Sequence, residues 1–303
     1  MESYLPTGNE TISLPRLNQE NGAVEDITFL YMACKGLIDL RGGEDPLLAP
    51  FVETDGRPAP LKSLQWERLG WWVPRFCGAA GPLTVEGVLL APTGERGFGY
   101  RLGLYNPGPQ AHTVRFGLAG CWASAWHCVN EEKEIEGTRH VYSSGWNGGP
   151  VFDLRCGVPL FAFAPLCDTD CAAEFSRDGA SIRWRLTSEA TLAPGESRAA
   201  VFWWGFGYEE VAAATSAKEM LRQGWDNELR QTLAWLDARS TDLGDPALTA
   251  LYNTNLFFCI HFSTGVTLDS EELVLVTSRS PRYYVSAAYW DRDSLLWSFP
   301  AIL

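Results

Sequence analysis

Two acids, an arginine and a run of aromatics crowd into one stretch near the end of the chain: Tyr283-Tyr284-Val285-Ser286-Ala287-Ala288-Tyr289-Trp290-Asp291-Arg292-Asp293-Ser294-Leu295-Leu296-Trp297. Tyr284, Tyr289 and Trp290 offer flat apolar faces that suit the CH faces of a sugar ring. Asp291, Arg292 and Asp293 offer a compact set of acceptors and donors that suit its hydroxyls. Arginine is a rigid planar fork of donors, and an ionised aspartate only accepts. Together they can grip a polyol from both sides. The same residues also read as the start of a helix, with acids near the positive end of its dipole and a salt bridge to Arg292.

The segment Tyr-Trp-Asp-Arg-Asp-Ser-Leu-Leu-Trp-Ser-Phe-Pro-Ala, residues 289–301, resembles the W-x-R-D signature of the glucoamylase-like, six-hairpin glycosidases. That resemblance implies a β-sandwich followed by an (α/α)6 barrel. It also implies that the Arg-Asp pair lies in the loop entering the second barrel helix and holds hydroxyls of the sugar in the −1 subsite. Carried over by motif position, Arg292 and Asp293 become substrate-binding residues. Trp290 and Tyr289 line the subsite, and Asp291 joins the set. The motif is short, whereas the implied architecture covers nearly the whole chain.

Glycoside hydrolysis ordinarily takes two carboxyl groups about 5–10 Å apart, one an acid with a raised pKa and the other a nucleophile or a base for water. Asp291 and Asp293 are two residues apart and would not face each other on a helix. The resemblance places the general acid and base on later barrel helices, beyond Leu303, so no catalytic residue is assigned here. No cofactor or metal is expected: the eight cysteines are scattered and there are only four histidines, without the paired spacing of a zinc site.

Positioning the motif falls to two textures. From Ala23 to Val201 short runs recur between turn signals, among them 27–32, 83–90, 99–105, 113–118 and 181–186, several alternating with period two. Many short strands with no helix between them predict an antiparallel sandwich. The segment 191–204, with Pro194-Gly195 at its turn, reads as a hairpin closing one sheet, and residues 1 to about 20 as an arm or first edge. Gly97-Phe98-Gly99-Tyr100-Arg101-Leu102-Gly103 lies within a strand pattern and departs from nucleotide-loop spacing. Glu131-Glu132-Lys133-Glu134 reads as a solvated loop. The loop 143–149 carries Trp146, which could reach over a barrel mouth, and His127 and His140 read as structural. In each of the pairs Trp71-Trp72 and Trp203-Trp204 at least one ring is expected in the core.

Near Tyr208 the texture turns helical. Trp225, Leu229, Leu233 and Leu236 form one apolar stripe, with Gly224 dividing the segment. Asp245-Pro246 is a helix cap followed by proline at the first helical position. The helix after it, to about Ser263, is apolar nearly all round and so must be covered on most faces. Residues 266–290 form a long loop with one strand, 272–276. A last helix is expected from Asp291 to Leu303, with Pro300 kinking or ending it.

The expected organisation is thus a β-sandwich over 1–207, a helical linker over 208–244, and the first helices of an incomplete (α/α)6 barrel over 245–303. The uncovered apolar end predicts the front of a longer protein or half of a two-chain assembly. The net charge of −13 argues against nucleic acid or anionic membrane as a partner and suits a neutral oligosaccharide. The beginning of the chain has no basic or apolar leader pattern and no run long enough to span a bilayer, so a cytoplasmic location with reduced, mostly buried thiols is expected. The function expected is hydrolysis of oligosaccharides or α-glucans, with sugar binding at 290–293. The alternative is a non-catalytic sandwich that binds carbohydrate or a protein partner, and phosphorolysis on a similar architecture is a third reading.

Overall fold

The computed structural model describes residues 5–302 apart from 147, 282–286, 289, 294, 297 and 298. The strand Ser197–Gly207 shows best how the sequence builds it. Its even-numbered side chains Ala200, Phe202, Trp204 and Phe206 enter the main core, while Val201 and Trp203 enter a second one behind the sheet. A strand covered on both faces needs no polar alternation, which is why Val-Phe-Trp-Trp-Gly-Phe reads as a continuous apolar run. Both Trp203 and Trp204 are buried.

This strand is central in an eight-stranded antiparallel sheet. Phe161–Cys167, Pro150–Arg155 and Thr138–Ser143 lie to one side of it, and Gly97–Tyr105, Leu83–Leu90, Val73–Ala80 and Leu61–Leu69 to the other. Two sheets form the opposing layer. One has five strands, in the order Ala172–Asp178, Ser181–Leu192, His112–Trp122, Ala49–Thr54 and Arg57–Pro58. The other has six: Thr7–Gly8, Ile12–Leu17, Val24–Tyr31, Gly36–Arg41, Ser124–Val129 and Glu131–Glu134. The chain crosses between them at Ala123, so His112–Trp122 runs almost directly into Ser124–Val129. Aromatic rings lock the layers edge to face: Phe29 on Phe161 at 5.1 Å, Trp122 on Phe163 at 5.0 Å, and Trp184 tilted on Trp204 at 4.9 Å. Such pairs add to the area they bury.

Several local expectations change. Ser181–Leu192 and Ser197–Gly207 are not a hairpin: they belong to opposite layers, and the turn between them carries the chain across the sandwich. Glu131–Glu134 is an edge strand, paired with Trp126–Val129 and exposed throughout. Backbone pairing overrides its polar composition. Of the two readings of the early residues, the first edge is the one seen: Thr7–Gly8 is the outer strand of the six-stranded sheet. Ile12–Leu17 is almost wholly buried, and Asn9 donates to the carbonyls of Pro92 and Glu95 while accepting from the amides of Thr11 and Ile12. Buried in that way, Asn9 offers no acceptor for the glycosylation that its Asn-Glu-Thr context spells.

Helices cover the other face of the eight-stranded sheet. Helix α1, Glu210–Gln223, lies so close that a Cβ at Gly205 would run into the Ala213 carbonyl and the Ala217 amide, and one at Gly207 into Ala212. Helix α2, Trp225–Asp237, turns its predicted stripe of Trp225, Leu229, Leu233 and Leu236 inward, with Gly224 at the break. Helix α3, Pro246–Ser263, begins as expected: the Asp245 carboxylate accepts from the amides of Ala247 and Leu248, both at 2.9 Å. It buries Phe257, His261 and Phe262, yet Leu248, Leu251 and Tyr252 stand exposed, Leu251 at 63%. Past the long loop, Asp291–Asp293, 295–296 and Phe299–Ile302 are helical among the described residues.

Glu228 on α2 is 4% exposed. Burial, with Glu95 and Glu219 nearby, pushes its carboxyl up from 4.5 to about 7. A carboxyl raised in the folded state binds more protons there than in the unfolded chain between those two values, so stability falls as pH rises through that window and stays lower above it. At about 1.4 kcal/mol per pKa unit, Glu228→Gln is expected to stabilise the protein at pH 8 by on the order of 2 kcal/mol. The gain should vanish below about pH 4.5, where both states carry the neutral acid. Urea denaturation of the two proteins at pH 4, 6 and 8 checks this.

Candidate functional site

The motif is positioned by a loop stitched to the sandwich. After α3 the chain forms a small hairpin, Thr264–Val266 with Leu273–Leu275, where the sequence pattern predicts a strand. The Val266 amide donates to the Glu10 carbonyl at 2.7 Å and the Leu268 amide to the Leu30 carbonyl at 2.8 Å. Asp269 accepts from the amides of Met32 and Ala33 at 2.7 and 2.8 Å, holding the 3-10 turn Met32–Cys34. Further on, Thr277 grips the Ala288 carbonyl twice, through its amide at 2.9 Å and its hydroxyl at 2.6 Å. The loop is thereby pinched shut just before Trp290.

Arg279 is the deepest tie. It is fully buried, and its Nη1 donates to the carbonyls of Asn9 at 2.5 Å, His261 at 3.0 Å and Thr264 at 3.4 Å. Thr28 donates to its carbonyl at 3.1 Å. Carbonyls at a helix C-terminus lack intrahelical partners, and here one guanidinium serves the end of α3 and an early loop together. Burial holds its pKa down, to about 9, which leaves it charged at neutral pH. Beside it, His261 is stacked on Trp72 at 5.1 Å, and burial together with Arg279 and Arg239 lowers its pKa to about 3, so it is neutral.

Trp290 lines a cleft of about 410 Å³ together with Leu30, Tyr31, Lys35, Asn130 and Val274. It is 37% exposed. The Arg292 guanidinium lies 5.8 Å from its ring centroid, within cation–π range. Arg292 Nη2 stands 3.5 Å from Asp293 Oδ1. The Asp293 side chain is 3% exposed, and its Oδ2 has no hydrogen-bond partner among the described residues. Arg292 itself is largely open to solvent. Tyr289, with Tyr283 and Tyr284, lies outside the described residues, as does the side chain of Asp291.

This arrangement matches a polyol in kind: a half-open indole face, a fork of donors largely open to solvent, and a buried carboxylate oxygen with no donor among the described residues. Burying a charged group without full hydrogen bonding is costly, and a sugar hydroxyl would meet the need. The helix-start reading also finds its Arg292–Asp293 salt bridge. None of the described residues lining the cleft is acidic.

Other candidates fall elsewhere. Trp146 is exposed, yet Lys218 donates to its carbonyl and sits 5.1 Å from its ring. Ser144 and Tyr142 both donate to Glu210 on α1. The loop is thus held against α1, and none of its described residues lines the Trp290 cleft. Tyr31, Lys35, Asn130, Thr277 and Arg279 went unread in the sequence. The left-handed backbone at Lys35 (φ 51°) and Asn130 (φ 57°) leaves no pattern that marks a cleft wall. Among the described residues no group of three or more His, Cys, Asp or Glu gathers as metal ligands, and no helix is long and apolar enough to cross a membrane.

No protein-family model and no curated protein sequence matches the chain. Among solved structures, it is similar to a bacterial glucoamylase complexed with acarbose, with a TM-score of 0.52 at 10% identity over 86% of this chain and 42% of that one. It is also similar to a family GH92 α-mannosidase from Bacteroides thetaiotaomicron, with a TM-score of 0.44 at 8% identity over 90% of this chain and 41% of that one. A polysaccharide lyase gives a TM-score of 0.46 at 12% identity over 69% and 34%. At that identity the glucoamylase likeness shows a shared fold, a β-sandwich followed by helices, over most of this chain. The chain spans less than half the length of that glucoamylase.

Proposed function

We propose that these residues are the front part of a glycoside hydrolase acting on oligosaccharides or α-glucans. In this reading 1–207 is the sandwich, 208–244 the helical linker, and 245–303 the first helices of an (α/α)6 barrel. Further residues or a second chain supply the rest of the barrel, and with it the general acid and base. Trp290 stacks on the terminal sugar, Arg292 donates to its hydroxyls and Asp293 accepts from them, with Tyr289 and Asp291 completing the grip. The observation that carries this is the Asp293 oxygen left buried and without a partner among the described residues, beside Arg292 and Trp290. The bare Leu248, Leu251 and Tyr252 of α3 support a barrel whose other helices pack there. The chemistry assigned to this part is binding and orientation: it holds the sugar ring while groups elsewhere move the proton.

One observation favours a second reading, a non-catalytic carbohydrate-binding sandwich: none of the described residues that line the cleft carries a carboxylate, Asp293 not being among them. Calorimetric titration of residues 1–208 and of residues 1–303 with maltooligosaccharides separates the two. Hydrolase architecture predicts that 1–208, lacking Trp290, Arg292 and Asp293, binds nothing measurable. Equal binding by both fragments would put the module reading first.

A further inference from the structure

A second cleft, of about 510 Å³, opens at the side of the sandwich and shares no lining residue with the Trp290 cleft. Two turns frame it. Asp55-Gly56, at φ 52° and 76°, makes the tight turn between Ala49–Thr54 and Arg57–Pro58 in the five-stranded sheet, as an Asp-Gly pair favours. Gly81-Pro82 turns between Val73–Ala80 and Leu83–Leu90 in the eight-stranded one. Pro58-Ala59-Pro60 joins the two layers, tied by the Ala59 amide donating to the Val52 carbonyl at 2.8 Å. Thr54 stands directly opposite Arg57 in the hairpin register, so both side chains leave from the same face. Thr54 is 8% exposed, and its hydroxyl oxygen has no hydrogen-bond partner among the described residues.

Arg57 and Lys62 both line this cleft, and neither has an ion pair or hydrogen bond among the described residues. On the same two sheets Arg75, Arg101, Arg115, Arg183 and Arg185 all meet carboxylates. In a chain with 37 acidic and 24 basic residues, two cations left unpaired in one cleft call for an anion from outside. Asp55 is the one acid among the described lining residues, and both its oxygens are engaged. Its Oδ1 accepts from the Thr113 amide at 3.0 Å, and its Oδ2 lies 2.7 Å from His112 Nδ1. We propose that the cleft binds a phosphate dianion, free or carried on a small sugar. A guanidinium fork holds two phosphate oxygens side by side, and an ammonium adds a point charge. The Thr54 hydroxyl is a third donor on the same face as Arg57. Charge selects phosphate over a neutral sugar: no aromatic face is among the described lining residues, whereas two cations match the charge of about −2 on a phosphate monoester. Pro58, Ala59, Pro60 and Pro82 supply apolar walls that suit the body of a phosphorylated sugar. The site is independent of sugar binding at Trp290.

The test is calorimetric titration of the protein with inorganic phosphate, glucose 6-phosphate and glucose at about pH 8, where a phosphate monoester is close to a dianion. The expected result is a Kd on the order of 1 mM or tighter for at least one of the two phosphates. Tighter binding of glucose 6-phosphate identifies a phosphorylated sugar as the ligand, and equal or tighter binding of inorganic phosphate identifies free phosphate; both uphold the site. Arg57→Ala and Lys62→Met change exposed side chains and leave the fold intact. Each is expected to weaken phosphate binding about tenfold, the worth of one hydrogen bond to a charged group. Thr54→Val, which removes the unpartnered hydroxyl, is expected to weaken it without lowering the urea midpoint. Glucose reports on the Trp290 cleft, so its titration, unmoved by these substitutions, separates failure here from failure there. Phosphate binding weaker than about 10 mM, or an affinity unchanged in the Arg57→Ala, Lys62→Met double variant, overturns the proposal.

Discussion

Asp293→Ala, made in the protein as its gene encodes it, is expected to lower kcat/KM on oligosaccharides by about a hundredfold without destabilising the fold. The activity loss follows from the proposed grip: a carboxylate accepting from two sugar hydroxyls contributes about 1.5–3 kcal/mol per bond, and each 1.4 kcal/mol is about tenfold. The stability side follows from the free site. Among the described residues Asp293 Oδ2 is buried without a partner and Oδ1 has Arg292 at 3.5 Å, a desolvation cost of the unliganded protein that alanine removes. Opposite signs for activity and stability are characteristic of a binding residue held at the expense of the fold. A purely structural cap would lose stability and leave turnover alone. Steady-state kinetics and urea denaturation on the same preparations separate the cases.

Arg279→Ala is expected to give the largest stability loss, about 2–4 kcal/mol by urea denaturation. Three carbonyls, those of Asn9, His261 and Thr264, would lose a buried donor, at about 1–3 kcal/mol for each group left unsatisfied. Against this stands relief from burying a cation whose Nε and Nη2 find no partner among the described residues, which keeps the net loss below the sum. Because the guanidinium joins the end of α3 to an early loop, the damage should be local first. Amide exchange should quicken in α3 and near Asn9 while the central strand Ser197–Gly207 stays protected. An unchanged midpoint with unchanged exchange in α3 would show that Arg279 is not the tie.

What could be read from the sequence was what its local chemistry controls. The Asp245-Pro246 cap, the stripe Trp225-Leu229-Leu233-Leu236 and the alternation in 83–90 and 99–105 depend on residues a few positions apart, and each appears in the structure. Pro194-Gly195 marks a turn correctly, but a turn does not say which sheet receives the next strand, and here it is the opposite one. Glu131–Glu134 pairs because Trp126–Val129 leaves an open edge beside it, which its composition cannot reveal. The Trp290 cleft is the sharpest case. Its motif is local and legible, but the wall formed by Leu30, Tyr31 and Lys35 comes from the other end of the chain, brought there by Asp269 and Arg279 through hydrogen bonds that leave no periodicity. Trp203 and Trp204 are buried together because α1 and α2 cover the second sheet face, a tertiary fact invisible in the strand itself.

The most direct test of the account is the initial rate of glucose release from maltooligosaccharides, measured side by side for the protein as its gene encodes it and for residues 1–303 alone. On the proposed assignment the former turns over and the latter gives nothing above background, since that assignment puts sugar binding within residues 1–303 and the acid and base outside them. Hydrolysis by residues 1–303 at the same rate would contradict it.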